Sequence, residues 1–331
     1  MPTLVLGGNG FIGANVVRAL LNHGFAVRAM RRPKSDTRSL REIQQDIEIV
    51  EGDLADPESL AKAMDGCPVI FHCAAYQPYF GGQTEAQVTE GFRQMRTVLE
   101  AAKQAGVEKF LYTSSHTTIG PSQAKGRFAY EADPYEPAPR DHVFYQVKYA
   151  MEEAAMRAAY HEALPVVVLN PTACFGPYDT RPVRGNLFVL YKRLPFPFYP
   201  LGVINAVDVR DVAEAHVAAI EKGRVGDRYL LGHVNLSGRG LAQLACRVMK
   251  VMGPFIPTPA FVLYAFASLS EDQGNSKPSR FPLIASSFVA QVQRGFPLNT
   301  NRAVQTLGMP QSPVERAMWD HIQWMRRVKK I

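Results

Sequence analysis

Short apolar runs alternate with longer stretches of helical periodicity along most of the chain. Residues 3–6 show no polar alternation and predict a strand buried on both faces. Residues 14–23 carry Val16, Val17, Leu20 and Leu21 at helical intervals and predict a helix. The same pattern predicts further strands at 26–30, 47–50, 69–73, 109–113, 166–169 and 228–231. Helices are expected after Asp56-Pro57-Glu58, an acid-proline start, and over 84–105, 141–163 and 208–222. Strand and helix in strict alternation predict a doubly wound parallel sheet, with its ligand site along the carboxyl edge.

Elsewhere the pattern breaks. Residues 176–205 are rich in Pro, Gly and aromatics, including Pro195-Phe196-Pro197-Phe198-Tyr199-Pro200, and read as an irregular lobe rather than sheet. From about 235 the chain reads as mostly helical with proline breaks. The expected division is a nucleotide domain of 1–170 with 206–232, and a smaller, mostly helical substrate lobe of 171–205 with 233–331 interleaved with it. No internal repeat or low-complexity linker is visible.

The chemistry starts at the first turn. Gly7, Gly10 and Gly13 stand between the first strand and the first helix. In that place Gly7 lets the chain turn sharply, Gly10 removes a side chain where a pyrophosphate approaches, and Gly13 lets helix and sheet pack closely. The unpaired N–H groups and positive dipole end of the helix then face the phosphates. This is the signature of a Rossmann-type dinucleotide cradle.

Composition narrows the partners. At 331 residues the chain has ample length for a core with an attached lobe. No apolar run of about 18 residues occurs, so no membrane span is expected. The first strand opens at Thr3, leaving no space for a signal peptide, and a cytoplasmic location is expected. Cys67, Cys73, Cys174 and Cys246 lack metal-ligand spacing and read as thiols of a reducing compartment, with no metal site. The net charge of +7 comes from scattered Lys and Arg, densest at Arg326, Arg327, Lys329 and Lys330. Cations are favoured at the end of a terminal helix, so the charge argues for an anionic cofactor rather than nucleic acid.

The second strand is followed by Arg31-Arg32-Pro33-Lys34-Ser35, and the first acid is Asp36. An acid at this strand end would bind the ribose 2′-hydroxyl, whereas Arg accommodates a 2′-phosphate in a planar fork. Arg31 and Arg32 therefore predict NADP over NAD. The third strand ends in Gly52-Asp53-Leu54, placing Asp53 where it can reach an adenine amino group. Ala74 and Ala75, after the fourth strand, are small enough to let a nucleotide ribose pass.

Together these motifs resemble the extended short-chain dehydrogenase/reductase family. The branch they resemble most holds the nucleoside-diphosphate-sugar epimerases and dihydroflavonol-reductase-like proteins, notably the hopanoid-associated sugar epimerases. The likeness runs nearly end to end, through Gly7-Gly8-Asn9-Gly10-Phe11-Ile12-Gly13, His72-Cys73-Ala74-Ala75, Tyr112-Thr113-Ser114-Ser115, Asn170-Pro171-Thr172 and Asp208-Val209-Arg210-Asp211-Val212-Ala213. It implies cofactor contacts from Gly7, Gly10, Phe11, Ile12, Gly13, Arg31, Arg32, Asp53, Leu54, Ala74, Ala75, Lys148, Pro171 and Thr172, and a substrate-side hydroxyl from Ser115. Helices 84–105 and 141–163 correspond to the dimer face of many relatives, which makes a homodimer possible.

One departure changes the mechanism. The family's catalytic helix carries Tyr-x-x-x-Lys, but this chain reads Phe144-Tyr145-Gln146-Val147-Lys148. Phe144 cannot exchange a proton. On a helix, residue 144 lies about 40° from 148, and 145 about 60° to the other side. Tyr145 is therefore a nearby phenol on the opposite flank, and His116, Thr117, Tyr76 and Tyr79 are further donors that sequence does not rank. Val88 and Asp208 also stand where relatives often carry Asn and His. Tyr76, Tyr79, Phe80, Phe128, Phe175 and Tyr178 suggest an aromatic-lined pocket. The expected function is an NADP(H)-dependent oxidoreductase or sugar-nucleotide epimerase, with catalytic Ser115, Tyr145 and Lys148. Its substrate is a sugar nucleotide or an apolar ketone or aldehyde. The alternative is a non-catalytic NADP(H) sensor that kept the cradle and lost the acid/base.

Overall fold

Leu4, Val5 and Leu6 have no exposed surface, and they pass alternately into two separate apolar cores. That is the signature of a strand covered on both faces. In the computed structural model this strand, β1 (Thr3–Leu6), lies in a seven-stranded sheet. The spatial order is β10 (Arg228–Leu231), β6 (Val166–Pro171), β5 (Lys109–Thr113), β4 (Val69–His72), β1, β2 (Val27–Arg31) and β3 (Glu48–Glu51). All neighbours are parallel. The winding reverses between β1 and β4, which opens a crevice at their carboxyl ends. The structure describes residues 1–74, 76, 84–138, 141–180, 188, 191–192, 198–251, 256–271 and 286–330. Ala75, Tyr79 and Phe80 lie outside them.

One face is covered by α1 (Phe11–Asn22) and the other by α2 (Pro57–Met64), α3 (Thr84–Gln104) and α4 (Val143–His161). A fifth helix, α5 (Val209–Lys222), joins α1 through Val212, Ala213, Ala215 and Ala219. Capping sets several starts. The Asp56 carboxylate accepts from the Glu58 N–H ahead of α2, and Asp208 accepts from the Arg210 N–H ahead of α5. Each such cap contributes about 1 kcal/mol. Helix α1 begins at Phe11, three residues before the expected start, because Gly13 is built into its first turn.

The lobe departs further from expectation. Between 176 and 205 the chain contains β8 (Phe198–Pro200) and the start of β9 (Val203–Asp208), not irregular structure alone. Strand β9 pairs in parallel with β7 (Ala173–Phe175) and antiparallel with β11 (Val234–Ser237). Its alternation is physical: Ile204 and Ala206 enter the lobe core while Val207 enters the core beside α1. The strand thus runs through position 206, where the sequence divides the two domains. Around this small sheet pack α6 (Gly238–Met249) and, beyond α7 (Ala260–Glu271) and α8 (Ser286–Gln293), the terminal α9 (Val314–Arg327). A parallel pair of β8 and β12 (Ile256–Thr258) completes the lobe's described strands. Trp324 on α9 donates from Nε1 to the Asp179 carbonyl at 3.1 Å, and Arg327 pairs with Glu42 at 2.7 Å.

Among the described residues no helix is long and apolar enough to cross a membrane, and no cluster of His, Cys, Asp and Glu could hold a metal. No disulfide joins Cys67, Cys73, Cys174 and Cys246 among the described residues.

Burial also stores a pH dependence. His216 on α5 is fully buried, its Nδ1 donating to the Val212 carbonyl at 2.7 Å while Nε2 lies 2.8 Å from the Thr113 hydroxyl. Desolvation pulls its pKa down to about 4, and that of the buried His72 down to about 3. Unfolded histidines titrate near 6.5, so below that pH the unfolded state binds more protons. Stability is complete above about pH 6.5 and falls toward pH 4, by up to about 1.4 kcal/mol per unit for each histidine. Urea midpoints between pH 7 and 4.5 should show this decline, and His216→Gln should make it shallower. An equal slope in the variant contradicts the assignment.

Candidate active site

The cradle is built from close backbone approach. Gly7 has φ +77°, and a Cβ there would stand 2.8 Å from the Ala74 Cβ. A Cβ on Gly13 would stand 2.2 Å from the Gly7 carbonyl oxygen, so only glycine lets α1 pack this near β1. Among the described residues a Cβ at Gly10 would meet only that same oxygen, at 3.2 Å, which leaves the outer side of the turn clear of them. Gly10 caps α1 without a side-chain bond, and no acid sits in the first turn. Open glycine, unblocked N–H groups and the dipole's positive end fit a diphosphate. The Phe11 side chain turns away, its ring edge-on to His321 at 5.8 Å, and Ile12 packs into the core beside α1.

At the adenine end the two arginines separate. Arg31 is the last residue of β2, not the first of the loop, and its guanidinium reaches Glu51 at 2.7 Å and the Arg32 carbonyl at 3.2 Å. Arg32 itself is exposed. Arg38 grips both oxygens of Asp36, at 3.0 and 2.6 Å, and holds that carboxyl below the usual range. Arg38 also donates to the Val328 carbonyl at the end of α9, at 3.1 Å. The Asp36–Arg38 pair carried no motif in the sequence. Asp53 is exposed beside the buried Leu54, with Oδ1 accepting from the Ala55 N–H at 2.9 Å.

At the far end of the cleft the loop after β5 faces α4. The Ser115 Oγ accepts from the Thr117 N–H at 3.2 Å and from the Thr117 hydroxyl at 2.9 Å. A hydroxyl oxygen has two lone pairs, so the Ser115 proton is what this group has left to offer. Asn170 on β6 donates to the Ser115 carbonyl at 3.1 Å and to Glu152 at 2.6 Å. Glu152 also meets Thr118 at 2.7 Å and Arg228 at 2.8 Å. This network fixes the serine loop to α4. Pro171 ends β6, and the Thr172 hydroxyl donates into the lobe, to Asn205 at 3.0 Å.

Lys148 is buried, with its Nζ 5.9 Å from the centre of the Phe144 ring. Desolvation lowers its pKa to about 8, against the opposing pull of Glu152. Tyr145 is also buried but packs edge-on to Tyr135 at 6.1 Å and to Phe144 at 6.3 Å. Burial pushes its phenol well above the ordinary value, and the cation opposing that is Arg294, 5.3 Å from its ring, rather than Lys148. The helix turn thus puts Phe144 against the lysine and Tyr145 on the other flank. Arg294 reaches Asp141 and the Tyr135 hydroxyl, both at 2.7 Å. Its role was invisible in sequence because it lies far along the chain from α4.

Other donors are committed elsewhere. His116 donates from Nδ1 to the Pro171 carbonyl at 3.2 Å, and desolvation lowers its pKa to about 4, so it is neutral near pH 7. The expected aromatic wall divides. Phe175 packs on Phe188 and His321 in the lobe, and Tyr178 lies beneath Arg18 and beside Trp324. Phe128 is half exposed. Val88 packs against the core beside α3, and the fully buried Asp208 is held by Arg210.

The model of the NAD dependent epimerase/dehydratase family matches residues 3–232. The chain belongs to that family. Within this epimerase/dehydratase family it falls in the extended short-chain dehydrogenase/reductase branch, whose members include reductases, epimerases and dehydratases. A Synechocystis protein that carries the name dihydroflavonol 4-reductase is 33% identical over 330 residues, 97% of this chain and 94% of that protein. The crystal structure of gox2253 superposes with a TM-score of 0.82 at 29% identity, covering 100% of this chain and 99% of that one. PA4631, a nucleoside-diphosphate-sugar epimerase from Pseudomonas aeruginosa, superposes with a TM-score of 0.80 at 22% identity, covering 100% and 99%.

The cradle yields a direct expectation. Gly13→Ala forces α1 away from β1, at a cost of about 1–3 kcal/mol, and should weaken binding of nicotinamide dinucleotides at least tenfold in a fluorescence titration. Undiminished affinity in a folded variant contradicts the cradle.

Proposed function

We propose that this family member is an NADP(H)-dependent oxidoreductase acting on an apolar or aromatic ketone or aldehyde. The observation that carries the reading is Ser115. With both of its lone pairs taken by Thr117, it offers a directed proton at the carboxyl edge of the sheet, on a loop that Glu152 ties to α4, the helix that carries the buried Lys148. When bound, the dinucleotide supplies or accepts the hydride. The chain's own residues hold the reactants in place. The N-terminus of α1 faces the diphosphate, Asp53 receives the adenine amino group, and Lys148 receives the nicotinamide ribose hydroxyls. Ser115 donates to the substrate oxygen.

Two observations refine the class. Asp36 is neutralised by Arg38 while Arg32 stays exposed, so the ribose end favours a 2′-phosphate over two free hydroxyls. A sugar diphosphate calls for cations, and four described guanidiniums on the lobe side are already matched: Arg127 with Asp133, Arg228 with Glu152, Arg294 with Asp141 and Arg302 with Asp227. The aromatic group of Tyr135, Phe144 and Tyr145 suits an apolar substrate better. The similarity to a protein named as a reductase supports the same choice.

The sensor reading draws on one observation, the Phe144 ring that stands beside Lys148 in place of a phenol. Oxidation of NADPH in the presence of aromatic ketones, aldehydes and nucleotide sugars decides between them. The oxidoreductase reading expects turnover with the first two classes, and tight binding with no turnover in any class supports the sensor. For the cofactor, Arg32→Ala should raise the NADPH Kd at least tenfold, the loss of one charge-assisted contact of about 1.5–3 kcal/mol, and leave NADH within twofold. An equal effect on both dinucleotides would show that Arg32 does not read the phosphate.

A further inference from the structure

A carbonyl oxygen held by Ser115 must gain a proton when its carbon gains a hydride, and the chain has no phenol at position 144 to provide it. The neighbours divide by geometry. The Thr117 hydroxyl is spent on Ser115, His116 keeps its only ring proton on the Pro171 carbonyl, Tyr145 lies in the field of Arg294 on the opposite flank of α4, and Tyr76 packs against the core that α3 and α4 share. Tyr79 lies outside the described residues; within them, Lys148 remains. We infer that Lys148 is itself the proton carrier of the reaction, giving a proton to the oxygen that Ser115 holds and taking one back in the reverse direction. This inference rests on the oxidoreductase reading of the same site.

Its surroundings suit the task. Lys148 is only 6% exposed, and the face of the Phe144 ring lies beside its ammonium. The titratable groups packed around it are Glu152 one turn along α4, and His72 of β4 with Tyr112 of β5 stacked on it at 5.5 Å. Glu152 is no counter-ion to spare, since its oxygens serve Thr118, Asn170 and Arg228. His72 is held neutral, in part by the lysine's own charge. Both ring nitrogens of His72 are buried and unpartnered among the described residues. Buried polar atoms without partners are rare, and two on one ring that feels the charge of Lys148 suit a place where protons or water exchange. A desolvated ammonium without a dedicated counter-ion releases its proton near neutral pH, the condition for a general acid.

The step balances. In the reductive direction the carbonyl carbon gains a hydride, with its two electrons, from a reduced nicotinamide dinucleotide. The C=O π bond opens onto oxygen, one Nζ–H bond of Lys148 breaks, and that proton forms the alcohol O–H. The dinucleotide is oxidised, the carbonyl is reduced, and the neutral amine regains its proton from water.

The test compares the wild-type chain with Lys148→Arg, Tyr145→Phe and the double variant Phe144→Tyr/Lys148→Arg. NADPH affinity, NADPH oxidation with an aryl ketone from pH 6 to 10, and the titration of ¹³C-dimethylated lysines by NMR are measured in each. Lys148→Arg should keep the NADPH Kd within about threefold yet lose at least a hundredfold in turnover, together with the alkaline limb of the pH profile. The phenol of the double variant should recover at least tenfold, which a merely structural lysine would not allow. One methylated-lysine resonance, absent from Lys148→Arg, should titrate well below the rest. The inference is overturned by turnover and an alkaline limb that survive in Lys148→Arg, by an alkaline limb that disappears in Tyr145→Phe, or by a Lys148 resonance that titrates with the surface lysines. Wild-type chain that binds no NADPH, or binds it and reduces no ketone, instead defeats the oxidoreductase reading beneath it.

Discussion

The distance between α1 and β1 governs the rest of the site. A helix seated on the Gly7 carbonyl leaves no space for even a methyl at position 13, and this seat aims the helix's amino end into the crevice where the sheet reverses its winding. Moving α1 outward would withdraw the dipole and its N–H groups from the turn. It would also loosen the apolar layer that α1 shares with α5, through which the lobe-forming segment beyond β9 is anchored. One steric requirement therefore sets the phosphate end, the sheet packing and the direction in which the lobe leaves the core.

The opposite end of the crevice is organised by charge rather than contact. Glu152, buried beneath the serine loop, draws Thr118, Asn170 and Arg228 onto a single carboxylate and so binds β5, β6, β10 and α4 together. Breaking such a pair leaves an uncompensated buried charge at a cost of about 3–5 kcal/mol, which makes the arrangement stiff. Ser115 inherits that stiffness through its carbonyl. Lys148 stands one turn from this carboxylate yet outside its hydrogen bonds, and burial lowers its pKa against the weaker opposing pull of Glu152.

Much of this was legible in the sequence, for physical reasons. Parallel strands buried on both faces read as unbroken apolar runs, so β1, β5 and β10 matched their expected bounds. The glycine turn and the Asp56-Pro57 cap are local signals that tertiary structure had no reason to override. Strand β9 was harder, because its alternation of Ile204, Ala206 and Val207 is short and adjoins a proline-rich stretch. At the site, the register of Phe144 against Lys148 followed from helix geometry, and so did the opposite flank for Tyr145. What that flank contains did not. Arg294, Asp141 and Tyr135 come together from segments more than a hundred residues apart, and the clasp of Arg38 on Asp36 depends on side-chain rotamers. Strand β2 ran one residue beyond its apolar run, so Arg31 closes it with its guanidinium on Glu51.

A crystal structure of the chain with NADPH tests the central claim most directly. The account predicts diphosphate oxygens within hydrogen-bond distance of the backbone N–H groups that open α1, and the nicotinamide ribose against Lys148. A dinucleotide seated elsewhere, or a diphosphate more than one turn removed from Gly10, would contradict it.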